Sequence, residues 1–200
     1  MKFIFEHKMI FIAVILSNIF TSCDLFTTRE PENPVQSRTI WVPPTTADIL
    51  ISNLKNSLNE KSTENYLKCF VDSVISGKSF VFIPSTESFS IYPNLFINWS
   101  IKNEKNYFEN LKSKLHESTG ITLSLFNETK GTIISDSMTY SADYILIANH
   151  NLEGFPKEFH GIVQFTLYRN LKGEWSVLSW KDSKKNEYLT WSDLKGRFAY

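Results

Sequence analysis

Residues 140–182 read YSADYILIANHNLEGFPKEFHGIVQFTLYRNLKGEWSVLSWKD: three apolar-alternating runs separated by two turn-forming stretches, Asn151-Leu152-Glu153-Gly154-Phe155-Pro156 and Asn170-Leu171-Lys172-Gly173. Successive side chains of a strand point to opposite faces, so the runs read as antiparallel strands joined by hairpins. Centring the turns at Glu153/Gly154 and Leu171/Lys172 sets Tyr144 opposite Val163, and Trp180 opposite Val163 on its other side. One face then carries Tyr140, Ala142, Tyr144, Leu146, Phe159, Val163, Phe165, Leu167, Leu178 and Trp180, and this is the expected core face. The reverse face carries Ser141, Asp143, Ile145, Ile147, His160, Ile162, Gln164, Thr166, Trp175, Val177, Ser179 and Lys181. A one-residue slip would exchange the two faces.

Upstream, residues 121–126 and 132–150, interrupted near Asp136, read as further strands, with all four expected to pair antiparallel. Before Gly120 the period changes. Asn103 is placed to cap a helix with Tyr107, Phe108, Leu111 and Leu115 inward, and with Glu104, Lys105, Glu109, Lys112 and Lys114 toward water. Thr45 and Thr46 introduce a first helix (Ile51, Leu54, Leu58 inward). Ser62 and Thr63 introduce a second (Tyr66, Leu67, Phe70 inward, Cys69 beside them) that ends before Gly77. Ser79-Phe80-Val81-Phe82-Ile83 reads as a short strand stopped by Pro84. Residues 85–98 read as irregular, with Tyr92, Pro93, Phe96 and Trp99 over one end of the core. The fold class is α+β: three helices from the N-terminal half packed on a curved antiparallel sheet of four to six strands.

That element order, together with Asn65-Tyr66-Leu67-Lys68-Cys69-Phe70, resembles the NTF2-like (SnoaL-like) superfamily over roughly residues 45–183. The resemblance implies a cone in which the sheet curls around the helices to leave a pocket, and a membership that spans isomerases, dehydratases and non-catalytic modules. It also implies that enzymes of the family carry an aspartate or histidine pair inside the cone. The inward positions read here are Tyr140, Tyr144, Phe165 and Trp180, with no carboxylate among them, so no catalytic residue is carried over. Tyr66, Phe70, Tyr107, Tyr140, Tyr144, Phe165 and Trp180 are the candidate pocket lining. Asp143, Gln164, Trp175 and Ser179 are the candidate outer-face interaction residues.

At the other end, Lys2 and Lys8 precede an apolar run from Met9 to Phe20. It is too short to span a bilayer and has the layout of a secretory signal. Phe20-Thr21-Ser22-Cys23 resembles the bacterial lipobox, which implies cleavage before Cys23 and diacylglycerol on its sulfur. The expected organisation is a signal at 1–22, a lipidated Cys23 with a Pro-rich tether at 23–44, and one domain at 45–200. The resemblance places the protein in the cell envelope, facing the periplasm or exterior. With Cys23 consumed, Cys69 has no partner and reads as a small core residue.

Lys plus Arg and Asp plus Glu number 21 each, so no net field would gather nucleic acid. His116, His150 and His160 lack ligand spacing for a metal, and no glycine-rich phosphate loop or CxxC calls for a cofactor. Asn98-Trp99-Ser100 and Asn127-Glu128-Thr129 match a glycosylation pattern by coincidence in a bacterial lipoprotein. The many apolar groups on the reverse face expect a cover: a second copy or protein partner, or the C-terminal stretch 188–200 with Leu189, Trp191, Leu194 and Phe198. The expected function is a non-enzymatic, membrane-anchored binding or interaction domain. The alternatives are an envelope enzyme using Asp143, His160, Glu87 or Tyr92, and a glycan binder stacking sugars on Trp99 and Trp175.

Overall fold

The structure, a computed structural model, describes residues 40–200. The expected signal, Cys23 and most of the expected tether lie outside the described residues. Residues 40–44, expected as tether, belong to the folded body. Asn53 holds Val42 through both its backbone groups, and Trp175 N donates to the Pro44 carbonyl at 2.7 Å.

Helix α1 (Ala47–Asn59) starts where Thr46 accepts from Ile49 N. It buries Leu50, Ile51, Leu54 and Leu58, each stabilising by about 2 kcal/mol on area grounds. Helix α2 (Thr63–Lys68), capped by Ser62, is shorter than its apolar pattern predicts. After Lys68 the backbone turns to the sheet: Val71 N donates to Val177 O, and Val177 N to Cys69 O, both bonds that a continuing helix could not make. Asp72 caps a separate turn, α3 (Ser73–Ser76), which closes on Gly77 at φ 66.

Strand β1 (Val81–Ile83) pairs parallel to the last strand, so the sheet is mixed rather than wholly antiparallel. The stretch expected to be irregular forms α4 (Thr86–Ile91) and α5 (Pro93–Phe96), with Phe96 and Trp99 buried as anticipated. Helix α6 (Ile101–Ser113) starts at Ser100, whose N–H donates to the Asn103 side chain. The long strands β2 (Ile121–Lys130), β3 (Ser137–Ala148), β4 (Glu158–Arg169) and β5 (Trp175–Ser183) pair antiparallel, in the sheet order β1-β5-β4-β3-β2.

The core face is the predicted one, with the register moved by two residues: Ala142 faces Val163, Tyr144 faces Gly161 and Trp180 faces Phe165. A two-residue shift preserves side-chain parity. β5 departs from it. Thr166 pairs with Ser179 but Leu167 with Val177, so Leu178 is an extra, bulged residue. Upstream of the bulge the phase inverts. Trp175 and Val177, expected on the outer face, are buried, while Leu178, expected in the core, is only half-buried.

The second correction is the C-terminus. Lys185 and Tyr188 lie on the outer face at Asp143 and His160, and the chain then crosses to the inner side. There α7 (Trp191–Phe198) closes the cone, with Trp191, Leu194 and Lys195 fully buried. It covers the inner face, not the outer one. Seven helices and one five-stranded sheet therefore make up the described residues.

Candidate functional site

Glu104 was expected to face water, yet it sits three and four residues before Tyr107 and Phe108 and so lies on the same buried stripe of α6. Its carboxylate accepts from Tyr66 Oη at 2.5 Å, from Trp99 Nε1 at 2.6 Å and from Lys195 Nζ of α7. Both members of the ion pair are fully buried. Burial alone would make either charge costly, and the pair stands because three donors converge on one carboxylate. Burial lowers the Lys195 pKa to about 8 against the opposing pull of Glu104. Desolvation raises the phenols of Tyr66 and Tyr107 far above their usual range, Glu104 adding to both.

A second knot lies one turn away. Asp182, on the inward parity of Trp180, accepts from Tyr144 Oη at 2.8 Å and from Ser192 N and Oγ at 2.7 and 2.5 Å. Burial pushes its carboxyl up, and the Ser192 and Tyr144 bonds pull it back. Tyr144 Oη in turn accepts from Trp191 N, and Tyr107 Oη from Trp191 Nε1. A third knot ties α4 to α7, with Ser88 Oγ donating to Asp193 at 2.6 Å. The start of α7 is thus bonded to β3, β5, α6 and α4.

The predicted pocket lining divides. Tyr66, Tyr107, Tyr144 and Trp180 converge around α7 as a filled interior. Tyr140 and Phe165 stack farther along the sheet, with the Tyr140 hydroxyl donating to Glu128. Phe70, edge-on to Tyr66 with ring centres 5.2 Å apart, joins that filled interior and also lines a groove on its other side. This groove, of about 780 Å³, lies between the start of the domain, α2, α3 and the β4–β5 turn, and its walls include Trp41, Leu67, Phe70, Phe80, Tyr168 and Trp175. Exposed Ile75 and Ile101 extend its apolar lip, and Glu64, Asp72 and Glu174 supply acidic groups at the rim.

Of the outer-face candidates, Asp143, Gln164 and Ser179 lie on that face and Trp175 does not. Asp143 is held below the usual carboxylate range by Lys185 and Asn127, and Ser179 donates to Thr166. Of the residues named for an envelope enzyme only Asp143 and His160 come together, in a small outer-face pocket that they line with Asn127 and Lys185. Asp143 and His160 are outside the cone, His160 bound to Glu158. Glu87 is exposed, and Tyr92 packs beneath Gly196. Trp99 and Trp175 are covered rather than free for stacking: Trp99 bonds to Glu104, and the Arg169 guanidinium lies 5.5 Å from the Trp175 ring. Among the described residues no group of three acidic, His or Cys side chains could hold a metal, and no helix is long and apolar enough to cross a membrane.

The residues missed from sequence are Glu104, Asp182 and Lys195. Each lay on a readable stripe. Glu104 extends the series through Tyr107, Phe108 and Leu111, Lys195 falls in a Trp191, Leu194, Lys195, Phe198 series, and Asp182 continues the alternation of Trp180. Their charge argued against burial, and only the partner brought from far along the chain makes burial affordable.

No protein-family profile matches the chain, and no curated protein matches it. Solved structures do. The chain is similar to a candidate aromatic-ring hydroxylase from Novosphingobium aromaticivorans, with TM-score 0.55 and 13% identity over 74% of this chain and 92% of that one. It is similar to a candidate scytalone dehydratase from the same organism, with TM-score 0.52 and 12% identity over 70% and 81%. It is also similar to a candidate dehydratase of the NTF2-like family from Streptomyces avermitilis, with TM-score 0.50 and 9% identity over 70% and 93%. At such identities the likeness shows the fold alone, and the fold is NTF2-like.

Proposed function

We propose that this chain is a lipid-anchored protein of the bacterial cell envelope whose NTF2-like domain is non-catalytic and binds a small apolar ligand in the groove beside Trp41. The observation that carries this reading is the complete burial of Trp191, Leu194 and Lys195, which fills the cone with the protein's own helix. A general acid or base must come within hydrogen-bond reach of its substrate, and the carboxylates of Glu104 and Asp182 are already engaged by internal donors in a closed interior. The groove supports binding instead. Its volume falls within the range of small-molecule sites, and its lining sets aromatic side chains such as Trp41, Phe70, Phe80 and Trp175 among polar and charged ones such as Glu64, Lys68, Asp72 and Glu174. The anchor rests on the short apolar leader and the lipobox-like residues ending in Cys23.

A thermal-shift screen of apolar and aromatic compounds on the full chain tests the binding reading. A ligand should raise Tm saturably in the wild type, and Trp41→Ala or Ile75→Glu should abolish the rise. If no compound shifts Tm, or if the shift survives both substitutions, the groove is not the site.

The enzyme reading keeps one observation in its favour, the two carboxylates within the cone. It requires α7 to withdraw during turnover. Bound substrate should then speed hydrogen exchange across residues 191–198, and unchanged exchange with every substrate tried removes this reading.

A further inference from the structure

The Lys195 ammonium is surrounded by rings. Its Nζ lies 3.8 Å from the Trp180 ring centre, 4.1 Å from Phe82, 5.3 Å from Tyr107 and 5.5 Å from Trp99. These rings come from β5, β1, α6 and the turn before α6, so four separate parts of the chain build the box. Lys195 alone comes from α7. Glu104 closes one side with its carboxylate, and that carboxylate is held in place by Tyr66 and Trp99 independently of the lysine. Box and anion therefore stand on a frame to which Lys195 contributes nothing but the cation. Aromatic faces attract cations most strongly when both are desolvated, and boxes of three or four rings with an acid are how proteins hold alkylated ammonium groups.

We infer that the interior of the cone is a binding site for an alkylammonium group, occupied by the protein's own Lys195, with α7 as the gate that carries this occupant. This goes beyond the groove reading and stands without it. The elements of recognition are already present: four ring centres within 5.5 Å of the ammonium, one fixed carboxylate, and the space that the lysine stem itself fills. Two acids and one phenol ring face the ammonium, Glu104 and Tyr107 from α6 and Asp182 from β5, while the Tyr66 hydroxyl of α2 donates to the same carboxylate of Glu104.

The test removes the occupant and offers a substitute. Lys195→Ala in the full chain deletes three methylenes and the ammonium, which n-propylammonium replaces. The expected result is a saturable rise in the variant's Tm with n-propylammonium, together with upfield ring-current shifts of the bound ligand's methylene protons. Affinity for 1-propanol should be weaker by about tenfold or more. Propionate and sodium chloride at equal ionic strength should give no rise. Adding Glu104→Gln should weaken the amine's effect without altering the response to 1-propanol. Equal rescue by 1-propanol, or no saturable binding, overturns the assignment.

Should Lys195→Ala not fold, it is refolded with each additive. Recovery with n-propylammonium alone supports the site, and no recovery, or equal recovery with 1-propanol, overturns it. The gate is tested in the wild type. High n-propylammonium should speed hydrogen exchange at residues 191–198 relative to sodium chloride, and unchanged exchange would show the box permanently shut. Failure here leaves the groove reading untouched, because no groove residue is altered.

Discussion

Gly161 shows how closely the interior is fitted. It stands opposite Tyr144 in the β3–β4 ladder, and a Cβ there would come within 2.7 Å of both Tyr144 Oη and the Ser183 carbonyl. The phenol cannot yield, because it donates to Asp182 and accepts from Trp191 N. Gly161→Ala should therefore cost about 1–3 kcal/mol of overpacking, read as a lowered urea midpoint at unchanged m-value. Lys195 makes a second prediction at this scale. Its pKa is lowered in the folded state, so between about 8 and the ordinary lysine value the unfolded chain binds more protons than the folded one. Stability should then rise with pH across that window. Tyr66, Tyr107 and Tyr144 act oppositely above about pH 10, since their raised pKa values keep them neutral in the fold while unfolded tyrosines ionise. A urea series should show a maximum between these limits, and Lys195→Met should remove the rising limb while leaving the fall. A wild-type profile flat from pH 7 to 10 would contradict this balance.

At the scale of elements, the two long helices α1 and α6 and the long strands were legible because each repeats one period over several turns or pairs, as Tyr107, Phe108 and Leu111 do in α6 or Tyr140, Ala142 and Tyr144 in β3, whereas the short helices α3, α4, α5 and α7 carry too few turns to show a period. What escaped reading depends on a single residue or a distant partner. The bulge at Leu178 inverts the face of Trp175 and Val177 without any turn residue to announce it. The break after Lys68 exists only because β5 offers Val177 to the backbone of Cys69 and Val71. Of the candidate site, the rings were legible from alternation but the charges among them were not, since Glu104 is satisfied by Lys195, which lies 91 residues away. The bulge yields a sharp comparison. Leu178→Ala, at a half-buried position, should cost about 1 kcal/mol, whereas deleting Leu178 forces either Trp175 and Val177 or Trp180 and Asp182 onto the wet face. The deletion should abolish cooperative thermal unfolding in near-ultraviolet circular dichroism. A deletion variant that melts like the wild type would mean the extra residue does not set the phase.

For the whole molecule, the folded body has to stand on its packing. Cys69 is its one cysteine among the described residues, fully buried, and its thiol is pushed up by desolvation, so no disulfide supports the body from within. The core from Ala47 to Phe198 carries that burden. The proposed lipid anchor is open to a direct test. One acyl chain binds a bilayer only marginally, while the diacyl or triacyl group implied at Cys23 would hold the protein firmly. Cys23→Ala should move the protein from the membrane pellet to the soluble or secreted fraction, abolish incorporation of labelled palmitate, and leave Tm unchanged, because the substituted sulfur lies far in sequence from the packed body. Retention of the variant in the pellet after a high-salt wash, with palmitate label absent from the wild type as well, would assign the attachment to the apolar run at residues 9–20 instead and remove the lipid anchor from the account.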